Sequence, residues 1–281
     1  YQPRQPTADV RPDIDARGHA RALLFSAGVD SFRTLLTGPA PDVLVAVHGF
    51  DITLEDVDRM AALRRATEAA AGAHDCLPVV VRTNLREHPS FGKPHTWERS
   101  HGGALIAIGH LLSNRIGELA ISSSWFTPGE KPWGSHTVTD PFFAANGFTI
   151  DHFGGTTRRE GKITAVAFDP IVRQHVRVCW KNTSPSTNCS RCEKCVITML
   201  HFLENGVLKE FEVFDSSNLP SKIEALPFFH HHLNLTERMI DRGIVGPDIL
   251  KALRRAVKRS KRIEPVLRMR TRLRAAIDRY A

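Results

Sequence analysis

The chain has no apolar run approaching the roughly 20 residues that a membrane-spanning helix needs, so a partner role within a bilayer is excluded for it. It has no internal repeat and no low-complexity tract, and its 42% hydrophobic content can build a sizeable core, which excludes disorder. No basic-then-apolar signal segment opens it; it begins at Tyr1 rather than Met, so an upstream segment is expected to be missing. Cysteine is scarce, with five in 281 residues, and four of those fall between Cys179 and Cys195. A disulfide framework would spread pairs across a small secreted chain, whereas a tight cluster favours a metal site in a reducing compartment, and a cytoplasmic location is expected.

Acidic excess is lacking as well: the formal charge is +8. From Ile249 onward twelve Lys and Arg face only Glu264 and Asp278, a surplus of ten, so the rest of the chain stands at −2. A nearly neutral body with a basic end differs from an evenly basic nucleic-acid binder.

A length of 281 residues suits one enlarged α/β domain or a domain with an appendage. Residues 1–20 read as an irregular, proline-containing lead-in. Strands are expected at Ala22–Phe25, Val43–Val47, Leu77–Val81, Leu119–Ser122 and Thr149–Phe153, and helices at Leu54–Ala71 and Gly102–Leu112. Short apolar strands alternating with helices predict an α/β fold with a doubly wound parallel sheet covered on both faces. Ligands of such sheets bind beyond the carboxyl ends of the strands.

At the first such end stands Ser26-Ala27-Gly28-Val29-Asp30-Ser31. A strand feeding a turn of small residues into a helix start aims backbone N–H groups and the helix dipole at one spot, an anion site. Gly28 would permit close approach and positive φ, Ser26 and Ser31 offer hydroxyls, and Asp30 could orient the loop or hold Mg²⁺. The G-x-x-x-x-G-K-[ST] and G-x-G-x-x-G patterns are both lacking. The bland alternative is an ordinary small-residue turn.

The spacing Cys179-x9-Cys189-x2-Cys192-x2-Cys195 lets four thiolates wrap one ion, as in closed structural zinc sites. An iron–sulfur cluster and unliganded buried thiols are the alternatives.

The loop resembles the S-G-G-x-D-S pyrophosphate loop of the N-type ATP pyrophosphatases, the PP-loop superfamily, with Ala27 in place of the usual second Gly. Loop and Cys spacing together resemble the 7-cyano-7-deazaguanine synthase branch, over roughly residues 22–200. That resemblance implies a Rossmann-like PP-loop fold and an enzyme that uses ATP to turn a carboxylate into an amide and then a nitrile with ammonia, binding zinc through four Cys. It also implies a nucleotide-facing Arg99 within Trp97-Glu98-Arg99-Ser100-His101, and a Lys-bearing helix start in Thr156–Ile163. Residues 125–147, including Trp125, Trp133, Gly134, Ser135, His136, Asp140 and Pro141, match nothing in that family and leave the substrate open.

The chemistry expected is therefore adenylation. The loop would cradle phosphates, Mg²⁺ with Lys162 and Arg158 or Arg159 would neutralise departing pyrophosphate, and adenine would lie at His48, Gly49 and Phe50. His101 or Asp140 would act as base for attack by ammonia or an amine. Each has a plainer alternative: a solvated face for the Arg/Lys set, helix capping for His101, packing for the aromatics. His230-His231-His232 is read as surface. A tRNA sulfur transferase and a zinc-stabilised nucleic-acid-binding module with a vestigial loop remain as alternative functions.

The expected organisation is lead-in 1–20, PP-loop domain 21–170, Cys₄ zinc element 171–205 and basic helical region 206–281. In that last region a stripe of Leu250, Leu253 and Val257 would pack, Pro265 would break the helix, and Leu267–Tyr280 would resume it. RNA or an acidic protein is the expected partner of the basic helices, and a homo-oligomer is expected.

Overall fold

The computed structural model describes residues 7–8, 20–93, 96–127, 133–145, 147–183, 187–227 and 230–277. Most of the expected lead-in over 1–20, the end of the chain from Asp278 and the side chains of His230 and His231 lie outside the described residues. Six strands form one sheet: β1 (Thr7–Ala8), β2 (Ala20–Leu24), β3 (Val43–His48), β4 (Leu77–Arg82), β5 (Ile116–Ser122) and β6 (Thr149–Phe153). Their order is β1-β4-β3-β2-β5-β6; the five from β2 to β6 run parallel, and β1 pairs antiparallel on β4. Register places Leu23 of β2 beside Leu44 of β3 on one side and Ala120 of β5 on the other.

Nine helices are described: α1 (Val29–Thr37), α2 (Val57–Ala73), α3 (Thr96–Leu111), α4 (Arg159–Val166), α5 (Pro170–His175), α6 (Glu193–Glu204), α7 (Leu219–Ala225), α8 (His230–Arg242) and α9 (Pro247–Ile277). Local chemistry sets several starts. Asp56 caps α2 by accepting from Arg59 N–H at 3.2 Å, and Asp169 caps α5 by accepting from Ile171 and Val172 N–H at 2.9 Å, with Pro170 in its first turn.

The period-2 alternation of the strands divides the core. Leu23, Phe25, Leu44, Ala46 and Val80 pack with Phe32, Met60, Leu63 and Ile163 of α1, α2 and α4. Ala22, Leu24, Val45, Val79 and Val81 pack on the opposite face with Ala104, Ile106 and Ile108 of α3. A parallel sheet buried on both faces explains why these strands read as continuous apolar runs. The first core continues without a break through Val196, Met199 and Phe202 of α6, Ile223 of α7 and Leu253 and Val257 of α9, so the C-terminal helices share the core of the sheet.

Most element ends shift by one to three residues from expectation, and two departures are larger. α3 begins at Thr96, six residues before Gly102. α9 runs through Pro265, where a break is expected from sequence. The ring removes one N–H, but Pro265 and Val266 face solvent, while the buried stripe Ala252, Leu253, Ala256 and Val257 anchors the helix upstream.

Candidate active site and metal centre

Strand order reverses at β2, with β3 and β4 on one side and β5 and β6 on the other. The carboxyl end of β2 therefore opens on a crevice, and a cavity of about 420 Å³ occupies it. Its walls come from the β2–α1 loop, the ends of β3 and β5, the first turns of α3 and the segment around Cys179.

The β2–α1 loop lines the floor. Gly28 is the N-cap of α1, no side chain caps that helix among the described residues, and its first-turn residues Val29, Asp30 and Ser31 line the cavity. Ser31 Oγ donates to Gly28 O at 3.0 Å, and Ala27 O accepts from Arg177 N–H at 2.8 Å. One expectation is corrected here. The left-handed residue is Ala27, at φ 54°, whereas Gly28 sits at φ −78° in extended backbone. Ala27 holds this glycine-like bend at a cost of about 1 kcal/mol in backbone strain.

Asp30 accepts from Arg159 Nη1 at 2.9 Å, and its other oxygen lies 3.2 Å from Lys162 Nζ. Lys162 is fully buried and also donates to Ser123 O, so it clamps α4 to α1 and to the end of β5 and does not line the cavity. Burial pushes its ammonium pKa down, against the pull of Asp30. Arg159 lines the cavity; Arg158, one residue earlier, turns away and stacks over Phe126 at 4.3 Å.

On the β3 side, Phe50 lines the cavity, while His48 is buried with Nε2 2.9 Å from Thr53 O. Gly49 has φ 110° and lies so close to Thr83 O that a Cβ would meet it at 1.7 Å, which fixes the sharp exit of the chain from β3.

α3 presents Trp97, Glu98, His101 and Leu105 to the cavity; Arg99 is exposed and outside its lining. The first turn of α3 is held by the 133–135 segment: Gly102 N–H donates to Gly134 O at 2.7 Å and Gly134 N–H to Glu98 O at 2.8 Å. A Cβ on Gly134 would meet His101 Nδ1 at 2.5 Å, so glycine is needed for that approach. An aromatic wall results, with Trp97 edge-on to Phe50 at 5.1 Å, His101 to Trp133 at 5.9 Å and Trp133 to Trp125 at 6.2 Å. His101 Nδ1 is 3.1 Å from Trp97 O, an acceptor, so a neutral ring carries its proton there and Nε2 is left as the basic nitrogen.

Asp140 is buried and outside the lining. It accepts from Ser135 Oγ at 2.6 Å and His136 N–H at 3.0 Å, and its Oδ2 lies 3.5 Å from His152 Nε2. Ser135 and His152, 3.2 Å apart, are the members of this group that face the cavity. Asp140 thus positions other groups and does not itself reach a ligand.

The four sequence-singled cysteines converge. Sγ atoms of Cys179, Cys189, Cys192 and Cys195 all lie within 4.8 Å of one another, with Cys179–Cys192 at 4.0 Å and Cys189–Cys195 at 3.9 Å. Tetrahedral zinc with Zn–S near 2.3 Å requires sulfurs about 3.8 Å apart, so the donor set fits a metal such as zinc. Local sequence builds it. Asn188 Oδ1 accepts from Val178 and Cys179 N–H at 2.8 and 3.2 Å, and Cys192 stands at the N-cap position of α6, which brings the positive end of that helix beside the sulfurs.

This element also lines the cavity through Arg177, Val178, Cys179, Trp180 and Lys194. Sequence reading missed Arg177, Lys194, Ser135 and His152 as site residues. Nothing local marks them; they arrive from three separate segments, and only the Cys spacing pointed near two of them. No helix among the described residues is long and apolar enough to cross a membrane. No protein-family model, no curated protein and no solved structure matches the chain.

Proposed function

We propose that the chain is an ATP-dependent, adenylate-forming enzyme of the PP-loop type, which activates a carboxylate or nucleobase-like substrate and releases AMP and pyrophosphate. The observation that carries this reading is the Ser26–Ser31 loop, set at the reversal of strand order with the open first turn of α1 facing a cavity large enough for a nucleotide. The S-G-G-x-D-S resemblance supplies the reaction class.

In this reading the first N–H groups of α1 and the hydroxyls of Ser26 and Ser31 hold the phosphate chain, and Arg159 stabilises charge on departing pyrophosphate. Asp30, already engaged by Arg159 and Lys162, orients that arginine, a role its geometry suits better than magnesium ligation. Magnesium would accompany the phosphates. The aromatic wall of Trp97, Trp125 and Trp133 fits a flat acceptor, and His101, with a basic Nε2, would take the proton from an attacking amine. The closed four-thiolate set supports a structural role for its metal.

Sulfur transfer is less well supported. Cys76 lies at the far end of the sheet, near Pro41 O and His74 O, and burial with Asp42 and Asp75 pushes its thiol up to about 11. Such a thiol is a poor nucleophile at neutral pH.

The test is pyrophosphate release from ATP as small carboxylates and nucleobase acids are added. Release that depends on acceptor, and is lost in Asp30→Ala, supports the reading; full activity in that variant overturns the role of the loop.

A further inference from the structure

Lys194 stands between two metal-ligand positions, Cys192 and Cys195, yet its side chain turns into the cavity and not into the sulfur cluster. Among the described residues its ammonium has no hydrogen-bond or ion-pair partner, and the residue is exposed to solvent where it lines the cavity. Arg177, buried and two residues before Cys179, lines the same cavity. Asp30 and Asp51 oppose them, Asp30 being already shared between Arg159 and Lys162, and Glu98 lines the cavity from the α3 side. Around Asp30 and Asp51 stand four cations, Arg159, Lys162, Arg177 and Lys194, which is the local composition of an anion site.

The cysteine element is tied to the floor of the cavity at several points. Arg177 N–H donates to Ala27 O at 2.8 Å, Asn182 Nδ2 donates to Asp51 O at 2.9 Å, and Arg177 Nη2 donates to Asn182 Oδ1 at 3.2 Å. The segment that begins the metal site is thus also the strip of backbone lying along the β2–α1 loop. A change in the sulfur cluster has a short, bonded route to the cavity wall.

We propose that Lys194 and Arg177 form the second half of a phosphate-chain site, closing it from the side opposite the β2–α1 loop, so that the metal-binding element is part of the ligand site and ligand and metal stabilise one another. This rests on the phosphate-loop reading above and adds residues that the loop motif does not contain. Linkage makes the coupling reciprocal: a phosphate chain that binds better when the element holds its metal must raise the affinity for the metal by the same factor, and slower release of the metal is the expected sign of it.

The experiment uses the full chain loaded with zinc and two probes, α,β-methylene-ATP and inorganic pyrophosphate, titrated calorimetrically against wild type, Lys194→Met and the exposed control Lys209→Met. Zinc content is measured on each variant, and zinc release to a chromogenic chelator is timed with and without probe. Loss of a charge-assisted contact predicts about tenfold or more weaker binding in Lys194→Met. Zinc content should stay at the wild-type value, and the probe should slow zinc release in wild type more than in the variant. Weakening of both probes assigns Lys194 to the chain's terminal phosphates; weakening of the nucleotide analogue alone assigns it to the α-phosphate end. If Lys194→Met binds both probes as wild type does, or if probe leaves the release rate unchanged, the inference is overturned while the loop reading stands. If wild type binds neither probe, the loop reading itself falls.

Discussion

The molecule carries positive charge in two places, and the two could hardly differ more. At the cavity, Arg159, Arg177 and Lys194, with Lys162 buried behind them, are drawn from three segments and converge on Asp30 and Asp51. On α9, Lys251, Arg254, Lys258 and Arg262 follow one another along a single exposed face, with no ion-pair partner among the described residues. The net charge of +8 records only the second group, because the first is nearly cancelled by acids elsewhere in the body. Charge count reports on the solvated helix; burial and convergence report on the site.

The comparison breaks most severely through the metal. Cys195 is fully buried and central to the sulfur cluster, so Cys195→Ser should remove the ion, loosen the wall that carries Arg177 and Lys194, and destabilise the fold by several kcal/mol. Metal analysis and thermal melting with and without a chelator check this. A zinc-free variant that melts like wild type and keeps its affinity for pyrophosphate would show that the enclosed charges stand without the element.

Asp30→Ala comes next. It leaves Lys162 buried with no counter-charge, and removal of one partner of a buried pair costs about 3 kcal/mol. The double variant with Lys162→Met should recover most of that stability in urea unfolding, yet none of the activity. Lys258→Ala on α9, by contrast, should stay within about 0.5 kcal/mol of wild type. Equal effects at Asp30 and Lys258 would erase the distinction between the two groups.

A smaller effect concerns a base that burial keeps neutral. His201 in α6 is buried beside Glu204, with Nδ1 3.7 Å from Oε2, and burial holds its pKa down at about 4. The unfolded chain takes up that proton below about pH 6.5, while the folded chain resists it until about pH 4. Stability should therefore fall as pH drops through that window, by up to about 3 kcal/mol, and His201→Gln should flatten this acid limb. An unchanged limb in the variant would place the acid sensitivity elsewhere, Glu204 with its Arg238 pair being the next group to examine.

Sequence periodicity and the structure agree closely where one physical cause acts alone. The strand Thr149–Phe153 is recovered residue for residue, and the four cysteines converge as their spacing requires. The α/β class follows from runs such as Val43–His48, buried on both faces. What was not legible depended on distant partners. Gly28 is the residue that sequence marks for positive φ, but the bend falls on Ala27, whose carbonyl accepts from the distant Arg177 N–H. Asp140 looked like a base until Ser135, His136 and His152 closed around it. Arg99 and Glu98 are adjacent in sequence but point about 100° apart on α3, and the way that helix packs puts Glu98 at the cavity and leaves Arg99 outside it.

The least effect is expected on α9 itself. Lys251, Arg254, Lys258 and Arg262 recur at intervals of three and four, so they share one helix face over about 16 Å. Truncation after Gly246 would not isolate their role, since it also removes Leu253, Ala256 and Val257 from the shared core. Replacing the four by glutamine keeps the buried stripe and takes away only charge. Melting should shift by less than about 0.5 kcal/mol in free energy, and pyrophosphate affinity should not change. Any RNA that the chain binds through this face should then show a salt dependence shallower by about three in log–log slope. A quadruple variant with weakened pyrophosphate binding would mean that the exposed helix contributes to the field in the cavity, and the two groups of charge would have to be treated as one.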